Sequence, residues 1–268
     1  MGLRKAWGVA AFTVLALAVG ACRSAPAGRS AVAVVVPAAA HSPSPSPRTT
    51  TAPVRTKHVP SSARPARAAP LRGYPAYAAT AVVSIVDVHS APDAAAPTIS
   101  RLARTNAYGA PRTFLVLGTS AGWYHVRLPT QPNGTTGWIR ASAVKVSGLR
   151  YAVTAHIRSF RLDVSKDGRV VTSYRIGIGS DRTPTPLGAY YVTELIRPPT
   201  RGTPYGDFVL GLSGYSAVSG VQIALHGTND PSTIGRRASN GCIHLLNADI
   251  DALATILPLG TPVTIESN

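Results

Sequence analysis

Acidic side chains are scarce in this chain. Eleven Asp and Glu stand against 27 Lys and Arg, and residues 1–72 hold ten basic side chains and no acidic one. Aromatics make up 6% and charged residues 14% of the 268 positions. With two cysteines there is no disulfide framework to staple a fold together. Hydrophobic residues nevertheless reach 45%, enough for a buried core, which excludes a wholly disordered chain. Repeated apolar spans are lacking, which excludes a polytopic membrane protein. The net charge of +16 lies mostly in the first 72 residues, whereas residues 148–268 hold eleven basic against nine acidic side chains. A nucleic-acid-binding domain would concentrate its positive charge on a folded surface interleaved with aromatics. No nucleic-acid partner is expected here. The length suits one large domain or two small ones.

What is present begins with an export pattern. Arg4 and Lys5 precede an apolar run from Ala6 to Val19. As a helix this run rises about 21 Å, short of a bilayer core of about 30 Å, so it reads as a secretory signal. It ends in Val19-Gly20-Ala21-Cys22, which resembles a bacterial lipobox, with valine where leucine is usual. The resemblance implies signal removal and a lipid on Cys22, anchoring the protein to the outer face of the cytoplasmic membrane, facing the wall. Cleavage after Ala21 with an incidental cysteine is the plainer alternative. If Cys22 carries lipid, Cys242 has no partner in the chain. A lone thiol in an oxidising exterior is a candidate nucleophile, or else a buried, inert side chain.

Residues 23–78 are rich in proline, serine, alanine and arginine, with Ser42-Pro43-Ser44-Pro45-Ser46-Pro47 as the extreme case. Proline removes backbone donors and little apolar surface is offered, so a disordered, polyproline-like spacer is expected. Residues 79–147 change character. Ala81–Val88 is β-branched, Thr113–Leu117 and Trp123–Leu128 read as a hairpin across Gly118–Gly122, and Pro132-Asn133-Gly134 signals a turn before a strand at Gly137-Trp138-Ile139-Arg140. Several short strands suggest a small barrel. The Gly-Trp-Tyr and Gly-Trp-Ile segments resemble bacterial SH3-like modules, in which Trp123 and Trp138 serve as core or as a ligand platform, core being favoured. Ser142-Ala143-Val144-Lys145 matches the S-x-x-K pattern of penicillin-binding serine enzymes, but no K-T-G or S-D-N accompanies it, so the match reads as coincidence.

Residues 148–268 again read as mostly β. Phe160–Val164 leads through Asp167-Gly168, a strong hairpin signal, into Arg169–Ile176. Gly177-Ile178-Gly179 lacks the third glycine and the helix of a dinucleotide fingerprint. Strands are predicted at Ala189–Thr193, Val221–Leu225 and Val263–Ile265. One short helix is predicted at Ala248–Leu257, with Asn247 able to cap it. Two segments carry the chemistry: Leu225-His226-Gly227-Thr228 and Ser239-Asn240-Gly241-Cys242-Ile243-His244. The stretch between them is polar and turn-rich, which predicts a loop over a site. A thiol with an ordinary pKa is mostly protonated at neutral pH and needs a base. A histidine can take its proton and hold a thiolate–imidazolium pair, given an orienting partner on its other nitrogen. Backbone N–H groups must meet the charge that develops on the attacked carbonyl. Gly241 permits close backbone approach beside Cys242.

With His226 and Cys242 sixteen positions apart, followed by Ile243-His244, these segments resemble the L,D-transpeptidase catalytic domain, the YkuD-like family, and Thr183-Pro184-Thr185-Pro186-Leu187-Gly188 resembles its T-P-x-G segment. The likeness spans roughly residues 150–268. It implies a β-rich catalytic domain with Cys242 as nucleophile, His226 as general base, the Gly227 carbonyl orienting His226, and oxyanion donors among the Asn240, Gly241 and Cys242 amides. Ser239, Asn240 and His244 are the expected substrate-side residues, Ser239 also shaping the turn. Many relatives carry arginine where His244 stands; the histidine can bind a substrate carboxylate, tune Cys242 or be structural. The implied partners are peptidoglycan stem peptides. The implied product is a cross-link between third residues, with D-alanine leaving, a monomeric enzyme, no cofactor and no metal. Carbapenems would acylate Cys242. An L,D-carboxypeptidase is the alternative if water resolves the thioester. A non-catalytic wall-binding lipoprotein and a zinc site of His226, Cys242 and His244 are the rivals; Cys-x-His is poor structural-zinc spacing and a fourth ligand is lacking.

Overall fold

A computed structural model of the chain describes residue 68, residues 71–200 and residues 202–268. The expected signal segment, Cys22 and nearly all of the expected spacer lie outside the described residues. The described chain is mainly β with a single α-helix among the described residues, in line with the fold class expected from sequence.

The first seven strands form one antiparallel sheet: β1 (Ala76–Ala81), β2 (Ile85–His89), β3 (Thr98–Ala103), β4 (Thr113–Ser120), β5 (Trp123–Arg127), β6 (Thr136–Arg140) and β7 (Val144–Leu149), in the order β3-β2-β6-β5-β4-β1-β7. Its core gathers Val86, Val88, Phe114, Val126, Leu128 and Ile139. Three sequence expectations need correction. Ala81–Val88 is not one strand: the chain breaks at residues 82–84, where the Val82 N–H donates to the Ala143 carbonyl and the Ser84 carbonyl accepts from the Arg104 N–H. And β1 starts at Ala76, inside the expected spacer. Alanine has little strand preference of its own, but this run is wedged between β4, which pairs with it from Tyr77 to Thr80, and β7, which pairs with it from Ala76 to Ala81. The β4–β5 turn is also tighter than expected, with Ala121-Gly122 alone outside the strands and Gly122 at φ +92°. Trp123 is buried, with the Arg140 guanidinium 4.7 Å from its ring centre. Trp138 is half-buried and stacks on His125 at 4.8 Å. Ser142 sits in a one-turn 3-10 helix and Lys145 on β7, both exposed.

The second sheet has eight strands: β8 (Tyr151–His156), β9 (Arg161–Lys166), β10 (Arg169–Arg175), β12 (Gly188–Ile196), β13 (Val209–Tyr215), β14 (Gln222–His226), β16 (Ile243–His244) and β17 (Pro262–Glu266), in the order β10-β9-β8-β17-β12-β13-β14-β16. The short strands β11 (Ile178–Gly179) and β15 (Arg237–Ser239) pair beside it. The β9–β10 hairpin turns at Asp167 (φ +51°) and Gly168 (φ +81°), the backbone that the Asp-Gly pair predicts. Period-two burial is clean in β17, where Val263 and Ile265 face the core. Strand β12 is instead buried on both faces from Tyr190 to Glu194, as befits an inner strand.

The helix α1 (Asn247–Ile256) buries Ile250 and Leu253, spaced to share one face, in the same core as Leu210, Leu212, Leu225 and Ile243. Its cap is Leu246, not Asn247, and makes no side-chain cap bond. The Asn247 Oδ1 is committed elsewhere: it accepts the Thr228 N–H at 3.0 Å. The two sheets meet at Tyr191 of β12, fully buried against Ala78, Leu115 and Leu149. Polar ties reinforce the joint. Asn133 Nδ2 donates to the Tyr215 carbonyl at 2.8 Å, the Tyr215 N–H donates back to Asn133 Oδ1 at 2.9 Å, and Asn106 Nδ2 donates to Glu194 Oε2 at 2.7 Å.

Candidate active site

Strand pairing brings the two sequence segments together. β14 ends at His226, and β16 runs parallel beside it with Leu225 opposite Ile243 and His226 opposite His244. Extending that register by one residue sets Ala224 beside Cys242. Side chains two apart on a strand share a face, so Cys242, His244 and His226 project from one face of two adjacent strands. They line a common cavity of about 590 Å3, together with Asn240, Ser239 and Thr233. The polar segment between them behaves as expected, with Asn229, Asp230 and Thr233 at the cavity wall.

His226 is held hard. Its Nδ1 lies 2.6 Å from the Gly227 carbonyl oxygen. A carbonyl only accepts, so Nδ1 carries the proton and Nε2 is the basic nitrogen. A Cβ at Gly227 would lie 2.2 Å from Asn247 Oδ1, so a larger residue would displace the amide oxygen that accepts the Thr228 N–H. The N–H on the same peptide as the Gly227 carbonyl, that of Thr228, donates to Asn247 Oδ1 at 3.0 Å, fixing the carbonyl that orients the ring, and the Gly227 N–H donates to the Phe208 carbonyl at 3.2 Å. Burial pushes the His226 pKa down to about 4, helped by the neighbouring His244 and opposed by the Gly227 carbonyl. His244 is also lowered by burial, partly offset by Asp230. Its Nδ1 lies 3.1 Å from Thr233 Oγ1, and the two imidazole rings are 4.7 Å apart.

Cys242 is a free thiol, partly exposed. Burial pushes its pKa above the ordinary thiol value, against a hydrogen bond from the Ala224 backbone. Burial of both groups thus works against the thiolate–imidazolium pair expected from sequence. Low polarity around both groups favours the uncharged forms.

The turn before Cys242 is clasped by Ser239. Its Oγ donates to the Cys242 carbonyl at 2.6 Å and accepts the Gly241 N–H at 3.1 Å. The hydroxyl is thus spent on the turn, and Ser239 is buried. Of the oxyanion donors expected from sequence, the Gly241 amide is engaged in this clasp, which leaves those of Asn240 and Cys242. Asn240 is exposed at the cavity mouth. Gly241 has φ +116°, and a Cβ there would find nothing nearer than 3.8 Å. Its backbone angle, not close approach, is what calls for glycine. Gly241→Ala is expected to cost about 1–2 kcal/mol of stability, read as a shifted denaturation midpoint, because a Cβ opposes this left-handed backbone. The T-P-x-G segment braces the same turn from outside: Thr183 Oγ1 donates to the Ser239 carbonyl at 3.1 Å, and the Gly179 N–H donates to Thr185 Oγ1 at 2.8 Å.

Three contributors escape the sequence reading. Tyr205 meets the His226 ring edge-on at 5.1 Å, from the connection between β12 and β13. Thr233 holds His244. Glu194, nearly fully buried, lines a second cavity of about 410 Å3 that also reaches Cys242. Burial raises the Glu194 pKa, against hydrogen bonds from Gln222 and Asn106. Among the described residues, no cluster of three or more His, Cys, Asp or Glu has the arrangement of a metal site.

Comparison with known proteins agrees with the segments that build this site. Residues 150–265 match the family model of the L,D-transpeptidase catalytic domain. The chain is 34% identical over 144 residues to the YkuD protein of Bacillus subtilis (strain 168), covering 52% of this chain and 83% of that protein. It is 30% identical over 122 residues to YqjB of the same organism, covering 42% of this chain and 69% of that one. Among solved structures, Bd1075 of Bdellovibrio bacteriovorus is similar at 26% identity and a TM-score of 0.39, with 44% of this chain and 48% of that chain covered. This chain belongs to the YkuD family of L,D-transpeptidase catalytic domains.

Proposed function

We propose that the protein is a peptidoglycan L,D-transpeptidase that works through a thioester on Cys242. The observation that carries this reading is the shared face of β14 and β16. There a free thiol and an imidazole with an available Nε2 line one cavity, the ring being fixed through Nδ1 by the Gly227 carbonyl.

Cys242 Sγ attacks the carbonyl carbon of the third, diamino-acid residue of a tetrapeptide stem. The thiol proton passes to His226 Nε2 as the C–S bond forms, and the backbone amides of Asn240 and Cys242 receive the oxyanion. Collapse breaks the peptide bond to the terminal D-alanine, whose nitrogen takes the proton back from His226. The thioester remains. A side-chain amine of a neighbouring stem then attacks it, His226 accepts the amine's proton, and the proton returns to sulfur as the C–S bond breaks. The new amide joins two third residues. Water in place of the amine gives a carboxypeptidase. We assign Asn240 and His244 to the substrate wall and Ser239 to shaping the turn. We further place the protein outside the cytoplasmic membrane, held by a lipid on Cys22, as a monomer whose β1–β7 sheet is an SH3-like module. Carbapenems are expected to acylate the same sulfur.

Mass spectrometry of the purified protein with a tetrapeptide stem tests this reading. The expected result is a transient adduct on Cys242 equal to the stem less its D-alanine, with free D-alanine in solution. Absence of both from folded protein would sink it.

A further inference from the structure

The cavity on the other side of Cys242 has a floor that the reaction above does not use. Four neighbouring strands place one residue each in a single row. Glu194 pairs with Gly211, Gly211 pairs with Ala224, and Ala224 stands beside Cys242. Gly211 is what opens the row: a Cβ there would lie 1.9 Å from Glu194 Oε1, so the carboxylate occupies the space a side chain would fill. From Gly211 to Cys242 is two strand spacings, about 10 Å. Glu194 is only 2% exposed, yet both its hydrogen-bond donors are neutral amides: Gln222 Nε2 at 2.6 Å on Oε1 and Asn106 Nδ2 at 2.7 Å on Oε2. Among the described residues it forms no ion pair. A carboxylate offers about four lone-pair sites, so acceptor capacity remains. Arg112 acts on it only as a nearby charge, its guanidinium being hydrogen-bonded to the Ala103 and Thr105 carbonyls, so a cation entering the cavity would offset more of the cost of burying the carboxylate.

We propose that Glu194 is a specificity-determining residue that binds the side-chain ammonium of the donor stem's third residue while that residue's carbonyl sits at Cys242. The proposal rests on the transpeptidase reading. The span fits. A diamino-acid side chain extends about 7 Å from its carbonyl carbon to its terminal nitrogen, and a charged N–H···O contact adds about 2.8 Å. The acceptor amine is a poorer occupant, because it must come within about 3–3.5 Å of the thioester carbon to react.

The test uses the full-length protein and two donor tetrapeptides that differ only at the third side chain, one with a free amine and one with the amine acetylated. D-Alanine release is followed for both. The wild type should favour the free amine by about 10- to 100-fold in kcat/KM, the range of a hydrogen bond to a charged group. Glu194→Gln should bring that ratio close to one. Asn106→Ala, which removes a neutral partner and keeps the carboxylate, should retain the preference; a merely structural role for Glu194 would make the two variants alike. Equal wild-type rates on the two donors overturn the proposal and leave the transpeptidase reading standing, and they do so even if Glu194→Gln fails to fold. A Glu194→Gln protein that keeps the preference also overturns it. Release from neither donor by folded wild type overturns the transpeptidase reading itself, and the proposal with it.

Discussion

Cys242→Ala should lower D-alanine release by roughly 10⁴-fold or more and leave the fold in place. The chain has one other cysteine, Cys22, far outside the catalytic segments in sequence, so no second thiol stands ready to substitute. What remains after the substitution is a cavity that binds and orients a stem without a group to form the acyl bond. Stability should change by less than about 1 kcal/mol, because the side chain is small and partly exposed. The paired measurement is D-alanine release alongside a denaturation curve. Undiminished release by the alanine variant would remove the sulfur from the mechanism altogether.

His226→Gln should slow acylation by about 10²- to 10⁴-fold, the usual share of a general base. The pH behaviour is the sharper part of this expectation. Burial holds the His226 pKa at about 4 and raises that of the Cys242 thiol. The wild-type kcat/KM should therefore rise through about pH 4 and stay level well past neutrality, without the inflection near 6.5 of an ordinary histidine. Stability carries the same signature with the sign of a buried base. The folded state prefers neutral His226, so its contribution is complete above pH 6.5, where the unfolded histidine is neutral too. It is lost as pH falls from 6.5 towards 4, by about 3 kcal/mol in all. Denaturation curves at pH 7 and pH 4.5 should show this slope in the wild type and a shallower one in His226→Gln. An inflection of the wild-type rate near 6.5 would mean an exposed, ordinary imidazole.

The reach of the sequence was uneven for physical reasons. His226, Gly227 and Cys242 were legible because nucleophilic chemistry demands particular residue types in a recognisable order. The Asp167-Gly168 hairpin was legible because few residues tolerate that backbone. β1 was not, because an alanine-rich strand exists by virtue of its neighbours β4 and β7. Asn247 looked like a helix cap because its local sequence allows it. Its real partner, the Thr228 N–H, comes from a distant segment. At Gly241 the residue type suggests close approach, whereas the backbone angle is the true demand, and sequence carries no trace of that angle. Tyr205 and Glu194 left no local signal at all. The first reaches His226 from the β12–β13 connection, and the second reaches Cys242 by strand register across Gly211 and Ala224. Burial likewise biases both groups towards their uncharged forms, which composition does not report.

The joint at Tyr191 has a consequence for how the enzyme is aimed. Its ring is sealed between the sheets, and Asn133 and Asn106 tie the same seam with directional bonds. Swinging one sheet against the other would mean prising that ring into water and breaking those bonds together. Cys242 therefore has a set bearing relative to the outer surface of the seven-stranded sheet. On the transpeptidase reading, whatever that surface rests on would dictate the direction from which an incoming glycan strand presents its peptide.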